Sequence, residues 1–194
     1  VLYSQNNNTV ILTLNRAQKR NALSLELLEE LLDRLGRVGQ DEQIRSVILA
    51  ADGQAFCSGH DLEELAGRSE AEDRRMFEAW ATVMKRLRKV PEPVIAEVQG
   101  TATAAGCQLA ASCDLVVAAE GTRFSLSEAR LGLVPGVIGP SVINAVGPRT
   151  AKALMLLAEP FSAEEAREYG LIHRVVADGE LDAAVEDWLQ MIRA

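Results

Sequence analysis

Apolar and polar residues alternate from Thr9 to Leu14, with Val10, Leu12 and Leu14 on one face, and this two-residue period predicts a strand. After Ser24 the period lengthens to that of a helix. Leu25, Leu28, Leu32 and Leu35 recur on one side, Glu29, Glu30 and Asp33 fall on the other, and Ser24 supplies the cap. The apolar run 47–51 after Ile44 predicts a buried strand, and a second helix over residues 71–89 ends before Pro91 and Pro93. A third strand, 94–98, is broken by Gly100, and a helix of small residues follows over 103–112. Strands at 115–119 and 123–125, helices at 139–146, 150–158 and 163–169, and a strand at 171–176 complete the alternation. Strands alternating with helices imply right-handed crossovers, a largely parallel sheet and an α/β fold.

The last segment, from Leu181, places Leu181, Val185, Trp188, Leu189 and Ile192 on one helical face. That face is expected to need cover from further protein or from another subunit. The expected division is therefore a core over residues 1–177 and the start of a C-terminal helical region, apparently incomplete, over 178–194.

The composition narrows the classes of function. With 194 residues, 48% hydrophobic and 25% charged, the chain suits one globular domain with a real core. Acidic residues outnumber basic ones by 28 to 20, and only four Phe, two Tyr and two Trp are present. Both facts argue against a nucleic-acid partner, which demands excess cationic charge and stacking surfaces. The longest stretch without a formal charge, 98–113, is interrupted by polar residues and is too short to span a bilayer. Three scattered cysteines fit reduced thiols in a cytoplasm-like compartment, or a mitochondrial matrix if a transit peptide has been removed. Two histidines, His60 and His173, do not suggest a metal site.

Two segments offer backbone chemistry. Ala55-Phe56-Cys57-Ser58-Gly59-His60-Asp61-Leu62 turns at Gly59 after a strand and enters a helix, so its N–H groups are open to an anion. An ordinary capped loop is the alternative. Gln99-Gly100-Thr101-Ala102-Thr103-Ala104-Ala105-Gly106-Cys107-Gln108-Leu109 lets a helix N-terminus approach a ligand closely, or simply packs tightly. Together they supply two N–H donors able to converge on one oxygen, an oxyanion hole. Glu128, just past a short strand and among apolar neighbours, suits a proton shuttle; the alternative is a helix-start glutamate favoured by the dipole.

These segments and Phe124-Ser125-Leu126-Ser127-Glu128-Ala129-Arg130-Leu131-Gly132-Leu133-Val134-Pro135-Gly136, in this order, resemble the crotonase superfamily of enoyl-CoA hydratases and isomerases. Leu14-Asn15-Arg16, Arg20-Asn21-Ala22-Leu23, Ser112-Cys113-Asp114-Leu115, Ser162-Ala163-Glu164-Glu165-Ala166 and Gly170-Leu171 extend the resemblance from Val10 to about Val176. It implies a spiral of strand-strand-helix turns and a homotrimer or homohexamer. It also implies an acyl-CoA thioester as substrate, with coenzyme A entering as part of that substrate and no separate cofactor.

On this resemblance the N–H groups of Ser58 and Ala105 hold the thioester enolate, and two glutamates of the hydratases align with Gln108 and Glu128. An amide at Gln108 can hold water but cannot take its proton, which implies isomerase-like chemistry or weak hydration on Glu128. Arg20, Ala22, Ala55, His60, Asp61 and Leu62 form the implied substrate-binding set. Lys19 and Arg20 sit where relatives place basic residues near CoA phosphates, although a solvated pair ahead of a helix is the alternative reading. A catalytically weak acyl-CoA-binding scaffold, or a decarboxylase or thioesterase on the same platform, also stays open. Cys107 and Cys113 read as core residues rather than nucleophiles.

Overall fold

The computed structural model describes residues 1–67, 69–137 and 139–193. Its main sheet has six strands in the order β1 (Leu2–Asn6), β2 (Thr9–Leu14), β3 (Ser46–Ala51), β4 (Val94–Val98), β6 (Leu115–Ala119) and β9 (Arg174–Val176). All neighbours are parallel except β1 and β2, an antiparallel hairpin turned at Asn7, whose φ of 52° lies in the left-handed region that asparagine tolerates. A smaller sheet contains β5 (Thr101–Thr103), β7 (Arg123–Ser125) and β8 (Phe161–Ser162). Single parallel bridges, Cys57↔Ala102 and Leu23↔His60, continue that second layer towards the N-terminus.

Each turn of the chain therefore gives a strand to the large sheet, a short extended segment to the small one, and then a helix. β4, β5 and α4 (Ala105–Ala111) make one such turn, and β6, β7 and α5 (Gly139–Leu157) the next. This is the crotonase-like α/β spiral that the resemblance implies. Of the expected 103–112 helix, α4 keeps residues 105–111, and Thr103 belongs instead to β5, which occupies residues 101–103. The two helices expected at 139–146 and 150–158 run on as α5 with a break at Gly147, whose φ is 76° ahead of Pro148. The last strand covers only residues 174–176 of the expected 171–176.

Strand alternation explains the two cores. Val10, Leu12, Val47, Leu49, Val94, Ala96 and Val98 point from the large sheet into the main core with α1 (Leu25–Val38) and α3 (Glu70–Leu87). Ile48, Ile95 and Val117 point to the opposite face, where Ala184, Val185 and Leu189 of α7 (Leu181–Arg193) cover them. A parallel sheet must be covered on both sides, and α7 is the cover. This corrects the expectation that the apolar face of the last helix lacks a partner within the chain: the back of its own sheet is that partner. Ser24 caps α1 through its side chain and Ser69 caps α3 with Glu72 in a capping box. Among the described residues no helix is long and apolar enough to cross a membrane.

Candidate active site

The site forms where three successive turns of the spiral meet. After β3 the chain crosses beneath α4, and Gly106 permits the crossing: a Cβ there would stand 2.2 Å from the Cys57 carbonyl oxygen. Gly59, at φ 95°, packs against the same segment from the other side, since a Cβ on it would come within 3.1 Å of the Thr103 carbonyl oxygen and 3.7 Å of the Ala105 nitrogen. The two segments singled out in the sequence are thus in contact. Between them Ala104 takes φ 52° and ψ −118°, a conformation that side chains rarely adopt, immediately before the first turn of α4. The Ala105 N–H belongs to that first turn, whose donors lie too early in the helix for an intrahelical acceptor.

Backbone pairing decides which donor faces Ala105. The Ser58 N–H donates to the Arg20 carbonyl at 3.1 Å, so it is not available to an oxyanion, and the expectation for Ser58 is corrected. In the neighbouring bridge the Leu23 N–H donates to Gly59 at 2.8 Å and the Asp61 N–H donates to Leu23 at 3.1 Å. The His60 N–H sits between these bonds and, in a parallel bridge, points to the other edge, away from Leu23. Asn21 holds this arrangement. Fully buried and at φ 52°, it accepts from the Arg16 N–H at 2.8 Å and donates to the Asp52 and Ala55 carbonyls at 2.9 and 2.8 Å.

A cavity of about 400 Å³ opens beside these segments, walled by Ser58, His60, Phe77, Ala104 and Glu128 and by the loop Leu133 to Val137. The 3₁₀ turn Glu128–Leu131, which follows β7 and closes on Gly132, carries Glu128 to this wall. Its residue is 7% exposed, and neither carboxyl oxygen has a hydrogen-bond partner. Burial pushes its pKa above the usual carboxylate range, against a smaller opposing effect of its own backbone N–H. A buried, unpartnered carboxyl of raised pKa in an apolar cavity can exchange a proton with carbon-bound acids.

Gln108 is placed differently from the expectation. At 1% exposure it does not line the cavity: its Oε1 accepts from Trp80 Nε1 at 2.8 Å and its Nε2 donates to the Val137 carbonyl at 2.7 Å. The side chain braces α3 against the cavity loop, and its amide is engaged with protein rather than turned to a substrate water.

A second cavity, of about 420 Å³, adjoins the first through Ser58, His60 and Leu62. Lys19, Arg20, Ala22 and Asp61 lie on its walls, which are far more polar. Lys19 Nζ pairs with Glu63 at 2.6 Å, whereas Arg20 is exposed. Asp61 caps α2 (Leu62–Leu65) and bonds Arg16 at 2.5 Å. Burial opposes its ionisation, yet the Arg16 guanidinium and the Glu63 and Glu64 N–H groups together hold its carboxyl below the usual range. Ala55 lines neither cavity; its carbonyl is taken by Asn21. The structure therefore brings Ser58, His60, Leu62 and Glu128 to the first cavity, with Ala105 packed beside Gly59 and with Arg20, Ala22 and Asp61 on the adjoining cavity, whereas Ala55 and Gln108 line neither.

The sequence reading missed Asn21 as a clamp, Trp80 as the partner of Gln108, and Phe77 and the 133–137 loop as cavity walls. The loop did carry a signal, an apolar run lying outside any strand or helix, in which Val134 is 87% exposed. The cysteines are unsuited to nucleophilic work: burial pushes the Cys57 thiol up to about 12 and raises Cys107 and Cys113 as well. Among the described residues no group of three or more His, Cys, Asp or Glu side chains is arranged for a metal ion.

Known proteins resemble this chain in sequence and in fold. The rat protein named Enoyl-CoA hydratase domain-containing protein 3, mitochondrial, is 37% identical over 172 residues, which are 88% of this chain and 57% of the rat protein. The chain thus spans little more than half of that relative. The 2,3-dehydroadipyl-CoA hydratase of Escherichia coli (strain K12) is 36% identical over 198 residues, covering 100% of this chain and 76% of the relative. The crystal structure of a Mycobacterium smegmatis enoyl-CoA hydratase superposes with a TM-score of 0.95 at 41% identity, over 98% of this chain and 75% of that one. Residues 4–194 match the family described as Enoyl-CoA hydratase/isomerase, and the chain belongs to that family.

Proposed function

We propose that the protein moves a proton on an acyl-CoA thioester, with Glu128 as the base and acid. The observation that carries this reading is the unpartnered Glu128 carboxyl on the wall of an apolar cavity that adjoins a polar one bearing Lys19 and Arg20. The acyl chain occupies the apolar cavity, the CoA lies in the polar one, and the thioester sits at their junction beside His60. Glu128 takes a proton from the carbon next to the thioester carbonyl, and the electron pair moves to the carbonyl oxygen as the enolate forms. The N–H groups of Ala105 and His60 stabilise that oxygen; His60 takes the donor role here because the Ser58 N–H is engaged by Arg20. Glu128 then returns the proton to the same carbon or, for a 3-enoyl chain, to C4, which yields the 2-enoyl isomer. Water addition using a second carboxylate is not part of this reading, since Gln108 is an amide tied to Trp80 and Val137.

The test is solvent exchange: acyl-CoAs incubated with the protein in deuterium oxide gain one or two deuterons at C2, read by mass spectrometry. No incorporation across a set of saturated and 3-enoyl chains overturns the reading. Assembly in threes belongs to the same proposal. The exposed Leu156 and Leu157 at the end of α5 support an interface, and light scattering reads the mass; a monomer at every concentration refutes it.

A further inference from the structure

The loop Leu133 to Val137, one wall of the apolar cavity, has little support of its own. Its backbone hydrogen bonds are local: the Leu133 N–H donates to the Glu128 carbonyl at 3.1 Å, the Gly136 N–H to Val134 at 2.7 Å and the Gly139 N–H to Pro135 at 2.8 Å. Leu133 and Val134 are 52% and 87% exposed, so side-chain packing adds little before Val137 meets the main core. Among the described residues, one hydrogen bond ties this loop to a distant part of the chain, the 2.7 Å bond from Gln108 Nε2 to the Val137 carbonyl. At its other end the same amide accepts from Trp80 Nε1 at 2.8 Å. The Trp80 ring packs edge-on against His60, 5.4 Å away, and His60 meets Phe77 at 5.6 Å; His60 and Phe77 both line the cavity. Gln108 thus connects two walls of the cavity without facing it.

We propose that Gln108 is a positioning residue: it sets how far the 133–137 loop stands from the wall formed by His60 and Phe77, and through that spacing it sets the size of acyl group that the cavity admits. The inference rests on the acyl-CoA reading given above and adds a determinant of its specificity. The residue type suits the task. An amide supplies an acceptor for Trp80 and a donor for Val137 at once, whereas a carboxylate supplies only the acceptor and a hydrocarbon neither. Gln108 is 1% exposed, so a bond lost there leaves the Val137 carbonyl facing a group that cannot donate to it. The loop relieves that cost by moving outward, the direction in which Val134 already meets solvent, and the cavity widens as it moves.

Calorimetry compares butyryl-CoA with decanoyl-CoA, both saturated, so that proton exchange at C2 leaves them chemically unchanged. Gln108→Glu keeps the acceptor for Trp80 and removes the donor to Val137. The butyryl dissociation constant divided by the decanoyl one is expected to rise about 10-fold over that of the unsubstituted protein, the worth of roughly two further methylenes leaving water in the widened cavity. Gln108→Met, which makes neither bond, should move the ratio the same way and serves if the Glu variant does not fold. Ile48→Ala destabilises the second core, on the opposite face of the large sheet, and should leave the ratio where it was, which separates positioning from a general loss of stability. A ratio that stays or falls in whichever Gln108 variant folds, or an equal rise in Ile48→Ala, overturns the inference while leaving the acyl-CoA reading standing. Butyryl-CoA binding no more tightly than free butyrate is a different failure, and it removes both.

Discussion

Gln108 and Glu128 are both buried polar residues beside one cavity, yet they are in opposite condition. The amide of Gln108 has a partner at each end, Trp80 and Val137, whereas both carboxyl oxygens of Glu128 have none. A satisfied buried group fixes geometry, and its loss is felt in stability. An unsatisfied one carries an electrostatic cost that only a ligand or a proton relieves, so its loss is felt in chemistry. The sequence separates the two positions only as amide and carboxyl; the hydrogen bonds add that one is engaged with protein and the other is not.

The largest expected effect comes from Glu128→Gln, which should lower deuterium exchange at C2 by about 10²- to 10⁴-fold, the usual worth of a general base. The same substitution should remove a pH dependence of stability. Because folding raises the Glu128 pKa, the folded state holds the proton where the unfolded chain has lost it. Native and variant proteins should therefore differ least below the usual carboxylate range. As pH rises from there through the raised folded value, the native chain should lose stability relative to the variant, as urea titrations at several pH values would show. A gap that widens instead at acid pH would contradict the unpartnered state of the carboxyl.

The smaller effect sharpens the other half of the comparison. Gln108→Glu should cost about 1–3 kcal/mol in urea unfolding, because the new carboxylate keeps the Trp80 donor but faces the Val137 carbonyl with no proton to give. It should leave 2-enoyl-CoA hydration low. Efficient hydration by this variant, assayed by loss of enoyl absorbance, would mean that residue 108 reaches the substrate after all.

Much of the fold was legible in the sequence because local pattern and tertiary demand agree. The strands at 9–14, 94–98, 115–119 and 123–125 and the Ser24 cap lie where the periodicity places them. β1 was not legible, since Tyr3, Ser4, Gln5 and Asn6 show no clear alternation and the strand is held by its hairpin with β2. β5 was not legible as a strand, and its Thr103 was read as the start of a helix, because its small residues fit either state and only pairing with β7 decides. At the site, the motif located Glu128 and Ala105 but could not say where N–H groups point. The Ser58 donor is lost to Arg20, far away in sequence, and Gln108 is claimed by Trp80 on another helix. Such claims arise from the stacking of turns, and no local signal announces them.

That stacking also has a kinetic consequence. Neighbouring strands of the large sheet pair Val10 with Val47, Val47 with Val94 and Val117 with Arg174, so nearly every ladder closes a long loop, and topology of this kind slows folding. The cavity takes His60 from one turn, Ala104 from the next and Glu128 from the third. The site is complete only when all three turns have docked, so recovery of proton exchange during refolding should not precede recovery of helical signal, and any lag between the two would time the last docking step.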